Sequence, residues 1–411
     1  MTGVLTRTIG PVIRRLNDVR LVKHTWLVPS VTSLGRWSRR GMWNVDLPTI
    51  PDTLKSVPGI WRNPQEERRA FAESPLHDWS TIHAKAIEWY RRYAWEVYFV
   101  MAPRYQRISS LIRREGSGAP AQRRSTLDPT QLKADMVAKA AEIGFSAIGV
   151  APLDEKYMYE EQRGVEVGNT ILVGVLEERQ EVAELIPSAR AERGITTVNM
   201  DLSRMCVEMA AWLRERGFNA KAFVSPGPGI SIHYAVEAGL GQLGMNGQLL
   251  TPAAGSRCRL MLISTDAPMP FDHPVDYGIH GICDLCQVCV RRCPAGAIPL
   301  RRTEHRGIVK SKLNGARCFP VVVQAHGCAI CMKVCPIQKY GLGPVVDEFE
   351  KTGKILGKDT EELEAYNFMG RHYGPGERPR LEQSFFKPQG FEFDAKRTVP
   401  SAGVERPTFL M

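Results

Sequence analysis

Apolar residues first fall into a regular pattern after Asp128-Pro129. Leu132, Met136, Val137, Ala140 and Ile143 recur at helical spacing and the run stops at Gly144. An aspartate before proline starts a helix and a glycine ends one, so a helix is predicted between them. Ala147–Val150 and residues 170–176 are short, continuously apolar runs suited to buried strands. A second helical period begins near Asp201, with Leu202, Met205, Cys206, Met209, Trp212 and Leu213 on one side, and stops at Gly217. Residues 220–224 and 259–265 are further strand candidates. Helices alternating with strands argue for a layered α/β unit.

The flanks are less regular. Residues 1–80 are rich in Pro, Trp and Arg with weak periodicity and read as an extended arm. Residues 81–101 carry Trp89, Tyr90, Tyr93, Trp95, Tyr98 and Phe99 and read as one aromatic helix that ends at Pro103. Docking on the core or on another subunit is the favoured role for that helix, with a membrane surface as the alternative. Gly116-Ser-Gly-Ala-Pro120 is a linker signal. Beyond Gly343 the sequence reads as a polar tail.

Eight of the ten cysteines change this picture. They fall into two blocks, Cys283-x2-Cys286-x2-Cys289-x3-Cys293-Pro294 and Cys318-x9-Cys328-x2-Cys331-x3-Cys335-Pro336. The first has the bacterial ferredoxin spacing for [4Fe–4S] ligation, in which the last cysteine serves the other cluster. The spacing therefore assigns Cys283, Cys286, Cys289 and Cys335 to one cluster and Cys293, Cys318, Cys328 and Cys331 to a second. The proline after each block lacks an N–H and turns the chain away. Zinc favours two separated pairs rather than a run of three with a crossing fourth. Disulfides are not expected without a secretory signal.

Charge and targeting add limits. The formal charge is +10, and residues 1–127 hold 21 Lys+Arg against 10 Asp+Glu, so the excess lies in the N-terminal part. No nucleic-acid-reading module accompanies it. No apolar run approaches the length of a membrane span. Ser38-Arg-Arg-Gly-Met42 has the twin arginine of an export signal, but Asn44, Asp46, Pro48 and Pro51 follow where an apolar stretch is needed. A reducing cytoplasm is the expected location. Cys206 and Cys258 sit in apolar contexts and read as packing residues.

The segment between strands and cysteines carries glycines at 239, 241, 244 and 247. Gly239-x-Gly241-x-x-Gly244 matches a dinucleotide fingerprint in letters, yet it follows a helix-like stretch rather than a strand. Its placement suits a loop packed against a bulky planar cofactor.

Ala238-Gly-Leu-Gly-Gln-Leu-Gly-Met-Asn-Gly247, then Leu249-Leu-Thr-Pro, Gly255-Ser-Arg-Cys-Arg-Leu and Ser264-Thr-Asp ahead of the cysteine blocks, resembles the cobalamin-dependent reductive dehalogenase superfamily, which includes the epoxyqueuosine reductases. Ile143-Gly-Phe-Ser-Ala-Ile-Gly-Val150 resembles the start of their cobalamin domain, and the likeness covers about residues 130–345. It implies a base-off cobalamin beside one cluster, with Ser225, Gly239, Leu240, Gly241, Gly244, Asn246 and Thr251 as cofactor-binding positions. The cofactor would do the difficult chemistry while the protein positions it and supplies a proton. The superfamily's tyrosine near the start of the preceding helix falls on Leu202 here, and the aspartate of epoxyqueuosine reductases falls on Ser225. Tyr234 is the candidate replacement acid, with His233 as a further titratable group. Asn246 could orient a substrate, and Arg257 or Arg259 could supply the dehalogenases' basic residue.

The expected fold class is thus α+β or α/β. A nitroreductase-like layered cobalamin-binding domain (126–275) precedes a two-cluster bacterial ferredoxin-like domain (276–345). An N-terminal helical extension (1–125) and a C-terminal tail (346–411) flank them. The expected function is a corrinoid iron–sulfur oxidoreductase that cleaves a carbon–halogen or related carbon–heteroatom bond in a small molecule. Its electrons would come from an external low-potential donor such as a ferredoxin, flavodoxin or reductase, and it could self-associate. Two alternatives stand beside it: an electron-transfer or docking subunit that keeps the clusters without corrinoid chemistry, and an epoxyqueuosine reductase-like enzyme.

Overall fold

The computed structural model describes residues 47–55, 63–73, 95–120, 126, 128–159, 162–223 and 227–386. The 1–46 part of the arm, residues 81–94 of the aromatic segment, and Ser225 lie outside the described residues.

The sheet unit is built from α1 (Pro64–Glu73), α2 (Trp95–Glu115), α3 (Pro129–Ile143), β1 (Ala147–Pro152), β2 (Thr170–Glu177), α4 (Ala189–Glu215), β3 (Ala220–Ala222), α5 (Ser231–Glu237) and β4 (Cys258–Thr265). The Asp128 carboxylate accepts from the N–H groups of Thr130 and Gln131, and Gly144 closes α3 at φ +108°. The strands lie in the order β1-β2-β4-β3 and every neighbouring pair is antiparallel. The long central pairing runs from Thr170 opposite Thr265 to Glu177 opposite Cys258.

Alternation sends the two sides of each strand into different cores. Ile148, Val150, Leu172, Met261 and Ile263 pack with Leu132, Met136, Leu202, Met209 and Leu213 of the long helices. Ala147, Ala151, Ile171, Val173 and Leu262 face the other way, onto Tyr157, Tyr234, Leu240 and Leu249. Helices therefore cover both faces of an antiparallel sheet.

Three expectations are corrected. The second helix begins at Ala189, well before Asp201, because Ser188 caps it by accepting from Ala191 N–H; Gly194 and two threonines obscure the pattern there. The aromatic helix does not end at Pro103: α2 continues through it to Glu115, with Ile108 and Ile112 buried in the first core. The presumed tail is not a tail up to residue 386. A helix at Leu342–Thr352 and a hairpin of Tyr366–Phe368 with Arg371–Tyr373 share a core with the cysteine blocks.

That last packing depends on one buried cation. Arg292 is fully buried and donates to the carbonyls of Glu364 (2.9 and 3.2 Å), Tyr373 (3.0 Å) and Glu377. Its guanidinium lies 4.8 Å over the Tyr366 ring, whose hydroxyl donates back to Arg292 O. The segment has few apolar residues, so its polar backbone is held by charge-assisted hydrogen bonds instead. Among the described residues no helix is long and apolar enough to cross a membrane. Arg292→Gln is expected to free the 366–373 hairpin and cost about 3–5 kcal/mol, since the buried carbonyls of Glu364 and Tyr373 would lose their charge-assisted donors. Urea unfolding and faster amide exchange confined to that hairpin would check this.

Candidate metal centre and adjoining cavities

Both cysteine blocks use the same local construction. The helix Ile279–Cys286 breaks at Gln287, held at φ +55°, before Val288–Arg292. In the second block Cys328 and Ala329 take φ +50° and +51° before Ile330–Lys333. Non-glycine residues in this region are strained and cluster at functional sites. The hydrogen bonds repeat as well. Cys286 Sγ accepts from Val288 N–H and Cys328 Sγ from Ile330 N–H, two residues on in each case. Further N–H groups point at Cys283 (from Met245), Cys335 (from Ile337 and Gln338) and Cys293 (from Ala297, 3.4 Å).

The thiols gather in two sets. Cys283, Cys286, Cys289 and Cys335 line one small cavity of about 20 Å³, with Met245, Asn246, Ile282 and Ile337. Cys331 interacts with Cys328, Cys293 and Cys318, and it also feels Cys335 of the first set. Cys289 interacts with the other three of its own set and with Cys331, so the sets adjoin. Burial pushes the thiols of Cys286 and Cys328 up to about 12 and that of Cys318 up to about 11. Such thiols become thiolates when a cationic group binds them and displaces the protons. Among the described residues, no three His, Cys, Asp or Glu side chains converge on a single metal-ion position. A lone zinc would need its sulfurs about 3.8 Å apart.

The remaining candidates are placed as follows. Tyr234 is buried in the core under the sheet, its hydroxyl donating to Asp154 O at 2.8 Å, and burial raises its pKa well above the usual phenol value. It is tied to the backbone rather than open to a cavity. Asn246 Oδ1 accepts from Gln248 N–H at 3.2 Å, so it shapes the turn. Thr251 Oγ1 donates to Gly255 O and accepts from Ala254 N–H. Leu240 is a core residue, and Leu202 is fully buried on the opposite side of the sheet.

The glycines face the protein's own atoms. A Cβ at Gly239 would meet His273 O at 2.6 Å, one at Gly241 would meet Leu250 O at 2.3 Å, and one at Gly244 would meet Asn246 Oδ1 at 2.7 Å. The loop needs glycine for its own close packing and leaves no open cradle at these positions. The side on which each of these glycines would carry a Cβ is thus filled by the protein's own atoms.

Arg257 and Arg259 belong to a buried polar group that sequence reasoning missed. Arg259 Nε pairs with the buried Glu178 carboxylate at 2.6 Å, and Arg257 Nη1 donates to Glu178 O. Glu192, on the first turn of α4, is buried beside them and its pKa is pushed up to about 7 by burial. Its carboxyl occupies the space a Cβ at Gly327 would need, 1.4 Å away, next to Cys328. No motif marks these acids, because one follows the end of a strand and the other sits at a helix start.

A second recess of about 60 Å³ was equally hidden. Tyr157, His233, Glu237, Gln242, Asp276 and His280 line it, together with Val275, Ile308 and Val309. His233 stacks on Tyr157 at 4.7 Å. Burial, then the Arg302 charge, pulls His280 down to about 4, so it is neutral at pH 7. His280 precedes Cys283 by about one helical turn, which places this cavity next to the first thiol set.

No family model matches the chain. Comparison with known proteins nevertheless finds relatives over part of its length. It is 32% identical over 183 residues to tetrachloroethene reductive dehalogenase of Sulfurospirillum multivorans, covering 42% of this chain and 36% of that protein. It is 33% identical over 136 residues to epoxyqueuosine reductase of Synechococcus sp. (strain RCC307), covering 31% of this chain and 41% of that protein. A solved catabolic reductive dehalogenase superposes with a TM-score of 0.57 at 20% identity, covering 77% of this chain and 47% of that one, which shows a shared fold. The chain is thus a homologue of the oxidoreductases that make up the reductive dehalogenase and epoxyqueuosine reductase superfamily. The first matched stretch spans about a third of its relative's length.

Because folding keeps Glu192 protonated near neutrality, its contribution is complete below pH 4.5 and is lost as pH rises through about 7. Glu192→Gln is expected to remove that loss, making the metal-free variant more stable than the parent at pH 8 by on the order of 3 kcal/mol and nearly equal at pH 4.5. Chemical denaturation at the two pH values measures the difference.

Proposed function

We propose that this chain is an iron–sulfur reductase of the dehalogenase-like type. Cys283, Cys286, Cys289 and Cys335 would hold one [4Fe–4S] cluster, and Cys293, Cys318, Cys328 and Cys331 a second. The observation that carries the reading is the lining of one cavity by thiols from both blocks, repeated N–H donors included. N–H groups aimed at the sulfurs offset the charge of a bound cluster and tune its potential. Contact between the sets through Cys289, Cys331 and Cys335 suits transfer of single electrons from one cluster to the other.

The electron acceptor belongs in the cavity beside Cys283. Its Tyr157–His233 stack and valine walls suit a flat, largely apolar small molecule, and neutral His280 can exchange a proton there. A corrinoid, when bound, supplies the metal-centred reduction of a carbon–halogen or related bond. The structure of one solved reductive dehalogenase of the same fold, TM-score 0.57, suggests a mechanism for B12-dependent dehalogenation. A second reading keeps the clusters and dispenses with the corrinoid, making the chain an electron-transfer subunit. The packed glycine loop favours that reading.

Anaerobic loading with iron, sulfide and cobalamin separates the two. The enzyme reading expects stoichiometric corrinoid with a base-off Co(II) paramagnetic signal next to two interacting cluster signals. Clusters without bound corrinoid at saturating cobalamin would leave only the electron-transfer subunit. Cys283→Ser and Cys318→Ser should each halve the iron content and remove a different cluster signal. Loss of neither signal would sink the ligand assignment.

A further inference from the structure

The second thiol set approaches the surface beneath a small basic face. Gly296, on the turn that follows Cys293, is exposed, and its backbone N–H bonds Cys293 O at 3.1 Å. A Cβ at Gly296 would touch only Arg378 Nη1 at 3.7 Å and Arg317 Nη2 at 3.8 Å. The two guanidiniums therefore lie at most about 7.5 Å apart, inside the ~8 Å screening length of physiological salt. Arg317 immediately precedes Cys318, donates Nε–H to Ala295 O at 2.7 Å and lies 4.4 Å over the Phe386 ring. These contacts orient it without neutralising it. The adjacent Glu377 carboxylate is turned back onto Gly374 N–H at 3.1 Å. No ion pair to Arg317 or Arg378 is formed among the described residues.

Two like charges held together at a side-chain-free opening lower the stability of the isolated protein unless an anion meets them. The absent Gly296 side chain lets a partner approach the turn over Cys293 closely. We propose that Gly296, Arg317 and Arg378 form the docking face for a small acidic electron-carrier protein, which reduces the cluster held by Cys293, Cys318, Cys328 and Cys331. Each encounter oxidises the carrier by one electron and takes one cluster from the 2+ to the 1+ state; no bond breaks and no proton is required. The inference rests on the cluster reading and adds the point at which electrons enter.

The test is stopped-flow reduction of the cluster-loaded full chain, followed by cluster absorbance. One reductant is flavodoxin hydroquinone, an acidic protein, and the other is reduced methyl viologen, a small cation. Arg317→Glu with Arg378→Glu should slow the flavodoxin reaction about tenfold or more and flatten its salt dependence. The viologen rate should stay level or rise. Arg317→Lys with Arg378→Lys should restore most of the flavodoxin rate, since charge rather than fork geometry is at work. An unchanged flavodoxin rate with an unchanged salt slope overturns the docking face, as does an equal fall with viologen. Iron and sulfide content of each variant is measured first. Absence of clusters in the parent chain would overturn the underlying cluster reading, whereas intact clusters with unaltered kinetics would overturn the docking face alone.

Discussion

Eight thiols are packed close together, three of them buried and five half-buried, and the rest of this structure answers to that constraint. A buried thiol resists ionisation, and each neighbouring sulfur resists it further once one has lost its proton. Left without a cationic group, the arrangement is a poor way to spend interior volume. With one bound, the same burial excludes water, and the converging N–H groups become favourable. The strained backbone at Gln287, Cys328 and Ala329 follows from the same need, because a straight helix would carry successive cysteines away from a common centre.

Two polar devices flank the thiol region. Arg292 gathers the carbonyls of the C-terminal segment over it. Glu178, Glu192 and Arg259 fill the seam toward the sheet, where Gly327 leaves room for the Glu192 carboxyl. Neither device is hydrophobic, so each depends on its hydrogen bonds and charge pairs being complete. The sheet itself contributes a rigid platform. Its eight-pair central ladder holds α5 and the glycine loop against one face, and the loop meets the cysteine unit at Met245 and Leu250.

The glycine loop shows how a motif can be read correctly in letters and differently in space. Glycines at 239, 241 and 244 do mark close approach, but the approaching atoms are His273 O, Leu250 O and Asn246 Oδ1. Tyr234 and Asn246 were legible as chemical groups, yet their roles turned on what lay opposite them. Leu202 stands on the helix side of the sheet and does not line the cavity beside His280, so the missing tyrosine does not bear on that chamber.

What the chain alone determined was local or periodic. The cap at Asp128, the stop at Gly144, the strands from Ala147 and Thr170, and the crossed cysteine spacing all express rules of a few residues' range. Such features depend on backbone geometry and on ligand spacing, both written in the order of residues. Tertiary structure alone decided that Ala189 begins the long helix and that residues 342–373 fold back onto the cysteines. It also decided that His233, Glu237 and His280 share a cavity, and that Arg317 and Arg378 share a face. These pairings join residues far apart in sequence through burial and charge. Their energy depends on distance in space, which no periodicity records.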